Sequence, residues 1–188
     1  MKEDQKAKIL DDGEQLLWRS APAKFETLDA VYKPKLIRSI VIALIAAAIV
    51  VGGYIALALK NDAGVKPVMI IIIVALAFIS PIGFFSDAKK LRKSFEYAVT
   101  DQRLLIITEN VSGMAFTAIK EAKLITDKAG VTSLVCGKRA LGSKPEKLRG
   151  LAASGCHLTD DGECDCLVFY SVSDPARLKK ILSPYLDI

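Results

Sequence analysis

Only one histidine stands among the 188 residues, aromatic residues make up 7%, and no P-loop, dinucleotide fingerprint or paired-carboxylate pattern is visible. A nucleophile needing an imidazole base therefore has one partner to draw on, His157. It is the sequence neighbour of Cys156 on an expected strand, where adjacent side chains diverge. Cys166, across the expected hairpin, matches His157 better, but no third group is placed to orient the pair. The expectation is a protein that is not an enzyme. A basic stripe interleaved with aromatics is also missing, so the net charge of +5 does not point to nucleic acid. The first 35 residues are polar and lack the short apolar stretch and small-residue cleavage site of a secretory signal, so the first apolar run is expected to stay in the mature protein.

What the chain has is 52% hydrophobic residues beside 25% charged ones, a mixture that suggests two environments rather than one averaged interior. The apolar excess lies between Leu36 and Phe85. Ile40 to Leu59 is twenty residues without a charge, about 30 Å as a helix, which equals the hydrocarbon thickness of a bilayer. Val68 to Phe85 is a second uncharged run of eighteen residues, with Ser80 and Pro81 expected to kink it near its end. The spans are expected at about 38–59 and 67–86.

Only KNDAGVK (Lys60 to Lys66) separates the runs, which predicts an antiparallel hairpin with both flanks on one side. Those flanks carry Lys33, Lys35, Arg38, Lys89, Lys90, Arg92 and Lys93, against Lys60 and Lys66 in the loop. Seven basic residues against two place both termini in the cytoplasm, with the chain in the inner membrane as a multi-pass protein. Ala48, Gly52 and Ala56 form a face of small residues on the first helix, suited to close approach by the second span or a second copy. The cluster Lys89, Lys90, Arg92 and Lys93 reads as topogenic charge, with an anionic-lipid clamp as the alternative.

After Lys93 the period changes. Phe95, Tyr97 and Val99 alternate with Glu96, Ala98 and Thr100, then Asp101 and Gln102 make a turn into RLLIIT, a β-hairpin. ENVSG predicts a turn, MAFTAI a third strand and GVTSLVC a later one, with KLIT between them ambiguous. GCHLTDDGECDCLVFY predicts a second hairpin turning at Asp161 and Gly162 and ending near Ser171. Asp174 as N-cap and Pro175 at the first helical position open a final helix with Leu178, Ile181, Leu182 and Tyr185 on one face.

YAVTDQRLLI (Tyr97 to Ile106) after a basic-flanked apolar hairpin, and DGEQLLWRSAPAK (Asp12 to Lys24) ahead of it, resemble the bacterial pleckstrin-homology (PH) domain membrane proteins. The resemblance implies a PH-like split barrel of about seven strands capped by a C-terminal helix, and little about activity. The fold class expected is thus α+β: a transmembrane α-helical hairpin over 36–93, preceded by a cytoplasmic segment 1–35 and followed by a PH-like antiparallel β-barrel over 94–188 with a C-terminal capping helix. Within it Tyr97 and Val99 are expected to fill the core and Arg103 to bridge to a loop carboxylate, with a ligand role for Arg103 as the alternative.

Gly137 to Gly155, rich in glycine and lysine or arginine, is expected to be a mobile loop and a place for a protein or headgroup partner, with Lys138 and Arg139 at its start. Cys136, Cys156, Cys164 and Cys166 are expected to be small strand residues, reduced in the cytoplasm. Against this stands a zinc site of His157, Cys164 and Cys166, which the assumed turn would bring onto one face, although the C-x2-C knuckle is missing. The function expected is a membrane-anchored interaction module, a protein or lipid scaffold, with self-association or anionic lipid headgroups among its partners. A tethered metal or redox sensor on the His/Cys hairpin is the alternative.

Overall fold

The computed structural model describes residues 10–11, 13–61, 64–77, 79–158 and 164–188. The elements run as strand β1 (Leu16–Ser20), helices α1 (Tyr32–Lys60), α2 (Pro67–Ala77) and α3 (Ile79–Ser94), then strands β2 (Glu96–Thr100), β3 (Arg103–Ile107) and β4 (Val111–Ala115). A 3-10 turn at Phe116–Ala118 leads to β5 (Ala122–Thr126) and β6 (Thr132–Cys136). Helices α4 (Lys138–Leu141) and α5 (Pro145–Ala153), strands β7 (His157–Leu158) and β8 (Cys164–Phe169), and helix α6 (Pro175–Leu182) complete the chain.

Helix α1 has 29 residues and starts where Asp29 Oδ1 accepts from the backbone N–H groups of Val31 and Tyr32, both at 2.9 Å, which satisfies donors that a helix start leaves open. By length and composition it is the one described helix able to cross a membrane. The second apolar run is helical in α2 and α3, which lie on either side of residue 78, outside the described residues.

Helix α1 packs on α2 and α3 and buries Ala43, Ala47 and Ala58. The face expected for close approach, Ala48, Gly52 and Ala56, is exposed instead, with no atom within 4 Å of a Cβ built on Gly52. The second apolar run is therefore not the partner of that face.

The strands form two four-stranded antiparallel sheets, β1-β2-β3-β4 and β5-β6-β8-β7. Strand β1 comes from the segment 1–35, expected as a separate stretch, and pairs Trp18 with Val99 and Ser20 with Tyr97. The helical segment is thus inserted between two neighbouring strands of one sheet, and both its ends return to the same place. Among the described residues the sheets do not close into the expected barrel: β4 and β5, joined by the 3-10 turn, are edges not bonded to one another. The faces pack through aromatic contacts instead, Tyr97 stacked on Phe169 at 4.5 Å and Trp18 on Phe169 at 6.5 Å.

The hairpin β2–β3 falls where the alternation predicts it. Strand β4 starts earlier than MAFTAI, inside the expected turn, because Gly113 pairs with Leu105 and has no room for a side chain: a Cβ there would stand 2.7 Å from the Leu104 carbonyl oxygen. KLIT belongs to β5. Helix α6 starts as expected, with Asp174 Oδ1 accepting from Arg177 N at 2.9 Å, and buries Leu178 and Leu182. The segment 137–155, expected as a mobile loop, is corrected to helices α4 and α5. Pro145 opens α5, and Ala140, Leu148 and Ala152 are buried, so spaced apolar residues overrule a loop-like composition.

Candidate functional site

The base of α1, the last turns of α3 and the insert α4–α5 meet around one cation. Arg149 is 1% exposed, and three segments converge on it. Its Nη1 donates to Thr27 O at 2.7 Å. Its Nη2 donates to Asp29 Oδ2 at 2.8 Å, Glu26 O at 3.1 Å and Tyr170 Oη at 3.2 Å. The guanidinium lies 3.5 Å from the centre of the Tyr32 ring. Asp29 therefore ties Arg149 through one oxygen and starts α1 through the other, which couples α5 to the apolar helix. Helix α3 is anchored by Ala88, Leu91 and Phe95, all buried, and by Arg92, whose Nη2 donates to Phe25 O.

Beside Arg149 opens a cavity of about 340 Å³, whose wall includes Lys35, Asp87, Arg139, Glu146 and Lys147. Lys35 Nζ donates to Glu146 O at 2.8 Å. Burial pushes the Lys35 ammonium below its ordinary value and the Asp87 carboxyl above its own, because each loses water that would stabilise its charge. Among the described residues, the buried Arg149 Nε has no hydrogen-bond partner. A larger cavity of about 1010 Å³ lies at the edges of the two sheets, with Met114, Lys120, Lys123, Lys138 and Asp165 in its wall.

The basic residues singled out in the sequence lie on three separate elements, α3, β3 and α4. Lys89, Lys90, Arg92 and Lys93 are exposed on the last turns of α3, where Arg92 also clamps Phe25. Lys138 and Arg139 share α4 but line different cavities. Arg103 bridges to a carboxylate as expected, and the partner comes from the N-terminal segment: its Nε and Nη2 each donate to Glu14 at 2.8 Å, with Asp11 at 2.9 Å from Nη2. Arg103 is thereby occupied in joining β3 to the segment ahead of β1.

The backbone register places His157 opposite Cys166, as the sequence predicts, while Cys164 pairs with Leu158 across an irregularity. The turn at Asp161 and Gly162 and the side chains of His157 and Cys164 fall outside the described residues. Among the described residues no three His, Cys, Asp or Glu side chains converge as metal ligands. Cys136 and Cys166 are both buried. Burial pushes the Cys136 thiol up to about 12 and raises that of Cys166, disfavouring the thiolate that binds metal. Cys156 is disulfide-bonded, which departs from the expectation of reduced cysteines throughout.

Sequence reasoning missed Asp29, Tyr32, Asp87 and Arg149. The usable signal was periodicity: in a helix opened by Pro145, Arg149 shares the buried face with Leu148, Ala152 and Ala153. Comparison with protein-family models, with curated proteins and with solved structures finds no match to this chain.

Proposed function

We propose that the chain is a non-enzymatic, membrane-anchored interaction module. Helix α1 and the α2–α3 pair cross the inner membrane as a hairpin, and a PH-like β domain at the cytoplasmic face serves as a scaffold for protein or lipid contacts. The observation that carries this reading is the exposure of large aliphatic side chains along the helices. Ile45, Ile49, Leu57 and Leu59 on α1 and Val68, Ile71 and Leu76 on α2 are each more than half exposed, and only 11% of the most apolar window of α1 is buried. A continuous apolar surface of this kind calls for lipid or an equally apolar cover. The return of both helical ends to one sheet supports a two-span hairpin, and the seven basic residues outside it against two in its loop support the cytoplasmic side for the β domain. Carbonate washing of membranes and protease treatment of intact cells test it. The protein is expected to stay in the membrane fraction with its C-terminal half shielded; release by carbonate, or trimming of that half from outside, overturns the reading.

A second reading, a tethered metal or redox sensor using His157, Cys164 and Cys166, draws on the His157–Cys166 register and the disulfide at Cys156. It requires that Cys164→Ser with Cys166→Ser abolish metal binding or a thiol-dependent change. Equal behaviour of parent and double variant in both assays removes it.

A further inference from the structure

The cavity beside Arg149 lies at a defined height on the helices. Lys35 stands two residues before Ile37, the first of the exposed aliphatic residues of α1, and Asp87 two residues after Phe85, an exposed apolar residue of α3. At 1.5 Å per residue, each is about 3 Å along its helix from the apolar band. In a bilayer that height is where the phosphate groups of the inner leaflet lie, directly outside the hydrocarbon.

The chemistry of the wall suits such a group. Lys35, Arg139, Lys147 and Arg149 face two carboxylates, Asp87 and Glu146. Arg149 is already balanced by Asp29 outside the cavity, at 2.8 Å, yet among the described residues its buried Nε–H has no acceptor. The Arg149 side chain is 1% exposed and adds its positive charge from behind the wall, while the exposed Arg139 and Lys147 supply the donors that an anion can reach. The cavity, about 340 Å³, is roughly ten times the ~30 Å³ that a water occupies in the liquid, enough for a phosphate and a small alcohol esterified to it. Arg139 and Lys147 are exposed at its mouth and free to reorient toward an entering ligand.

We propose that this cavity binds a phosphate ester anion through Arg139 and Lys147, with the buried charge of Arg149 behind them, so that the β domain reads the headgroup at the foot of its own anchor. The shared chemistry is a phosphate ester, supplied by an anionic phospholipid or by a soluble ester. The site rests on the membrane reading for the lipid source and differs from the α3 cluster of Lys89, Lys90, Arg92 and Lys93.

The test uses the full chain in neutral detergent, titrated with phosphatidylglycerol, phosphatidylcholine, glycerol 1-phosphate or inorganic phosphate, with binding read by native mass spectrometry and by the unfolding temperature. Phosphatidylglycerol is expected to bind and stabilise, and zwitterionic phosphatidylcholine not to. Arg139→Gln with Lys147→Gln, two exposed positions, is expected to weaken binding about 30-fold, taking each contact at its typical contribution near a membrane surface. Lys120→Gln with Lys123→Gln, in the other cavity, is expected to leave it unchanged. Binding of glycerol 1-phosphate as well assigns the site to soluble esters; binding of the lipid alone assigns it to the bilayer. Equal binding of both lipids without any soluble anion, or an unchanged affinity in the Arg139/Lys147 variant, overturns the proposal. Carbonate extraction fails or succeeds independently: a protein that stays in the membrane while the variant binds normally refutes the site and leaves the anchor standing.

Discussion

Arg103 grips Glu14 with two parallel hydrogen bonds of 2.8 Å, although the two residues are 89 positions apart and the whole helical segment lies between them. Thr100 Oγ1 donates a further bond to the same carboxylate at 2.6 Å. Glu14 is buried, and the Arg103 guanidinium holds its carboxyl down at about 2, against an ordinary value of 4.5.

The pH dependence follows from that depression. A folded-state value below the unfolded one stabilises the fold at every pH above about 4.5, and that stability is lost as pH falls toward 2. The full effect is about 3 kcal/mol. Urea unfolding of the detergent-solubilised protein from about pH 6 down to about pH 2 is expected to show it. Glu14→Gln is expected to be less stable at neutral pH and flatter through the acid range.

Tyr97 is buried with its hydroxyl between two backbone groups: it donates to Tyr170 O at 3.0 Å and accepts from Tyr170 N at 3.0 Å. Tyr97→Phe keeps the stacking on Phe169 but strands both groups in the core. We expect a loss of about 1–3 kcal/mol in chemical unfolding, with native circular dichroism below the transition.

Gly137 has φ +88°, and a Cβ there would collide with the backbone carbonyl oxygen of Asp165 on β8. Backbone cannot step aside as a side chain can. Gly137→Ala is expected to separate α4 from β8 and to lower the unfolding temperature more than Gly130→Ala, where φ is also positive, at +77°, but no atom lies within 4 Å of the added Cβ.

Arg149 and Asp29 form a pair with side chains 1% and 6% exposed. Arg149→Met leaves the Asp29 charge buried and is expected to cost about 3–5 kcal/mol. Adding Asp29→Asn removes that charge and is expected to recover part of the loss. A double-mutant cycle from unfolding curves measures the coupling; additive losses contradict it.

Legibility in the sequence followed distance along the chain. Helix α1 declares itself by an uninterrupted apolar run, β2–β3 by alternation around Asp101 and Gln102, and α6 by Asp174 ahead of Pro175, all signals contained within a few residues. Strand β1 was hidden because its partner β2 follows some 29 residues of α1 and both later helices, so no local pattern records the pairing. Helices α4 and α5 were hidden by glycines and lysines that resemble a loop, although Leu148 and Ala152 carried the helical spacing. The cavity around Arg149 was least legible, since Lys35, Asp87 and Lys147 come from three separated elements and meet only through tertiary packing.

The position of β1 also sets an order of assembly. During synthesis Trp18 leaves the ribosome well before its neighbour Val99 exists, and every helical residue must be placed in between. Until then the first strand waits as an open edge, and the sheet is completed only by a chain whose two helical ends have come back together. On the membrane reading proposed above, a nascent protein threaded with its ends on opposite sides would hold Trp18 away from β2 and leave the domain unfinished.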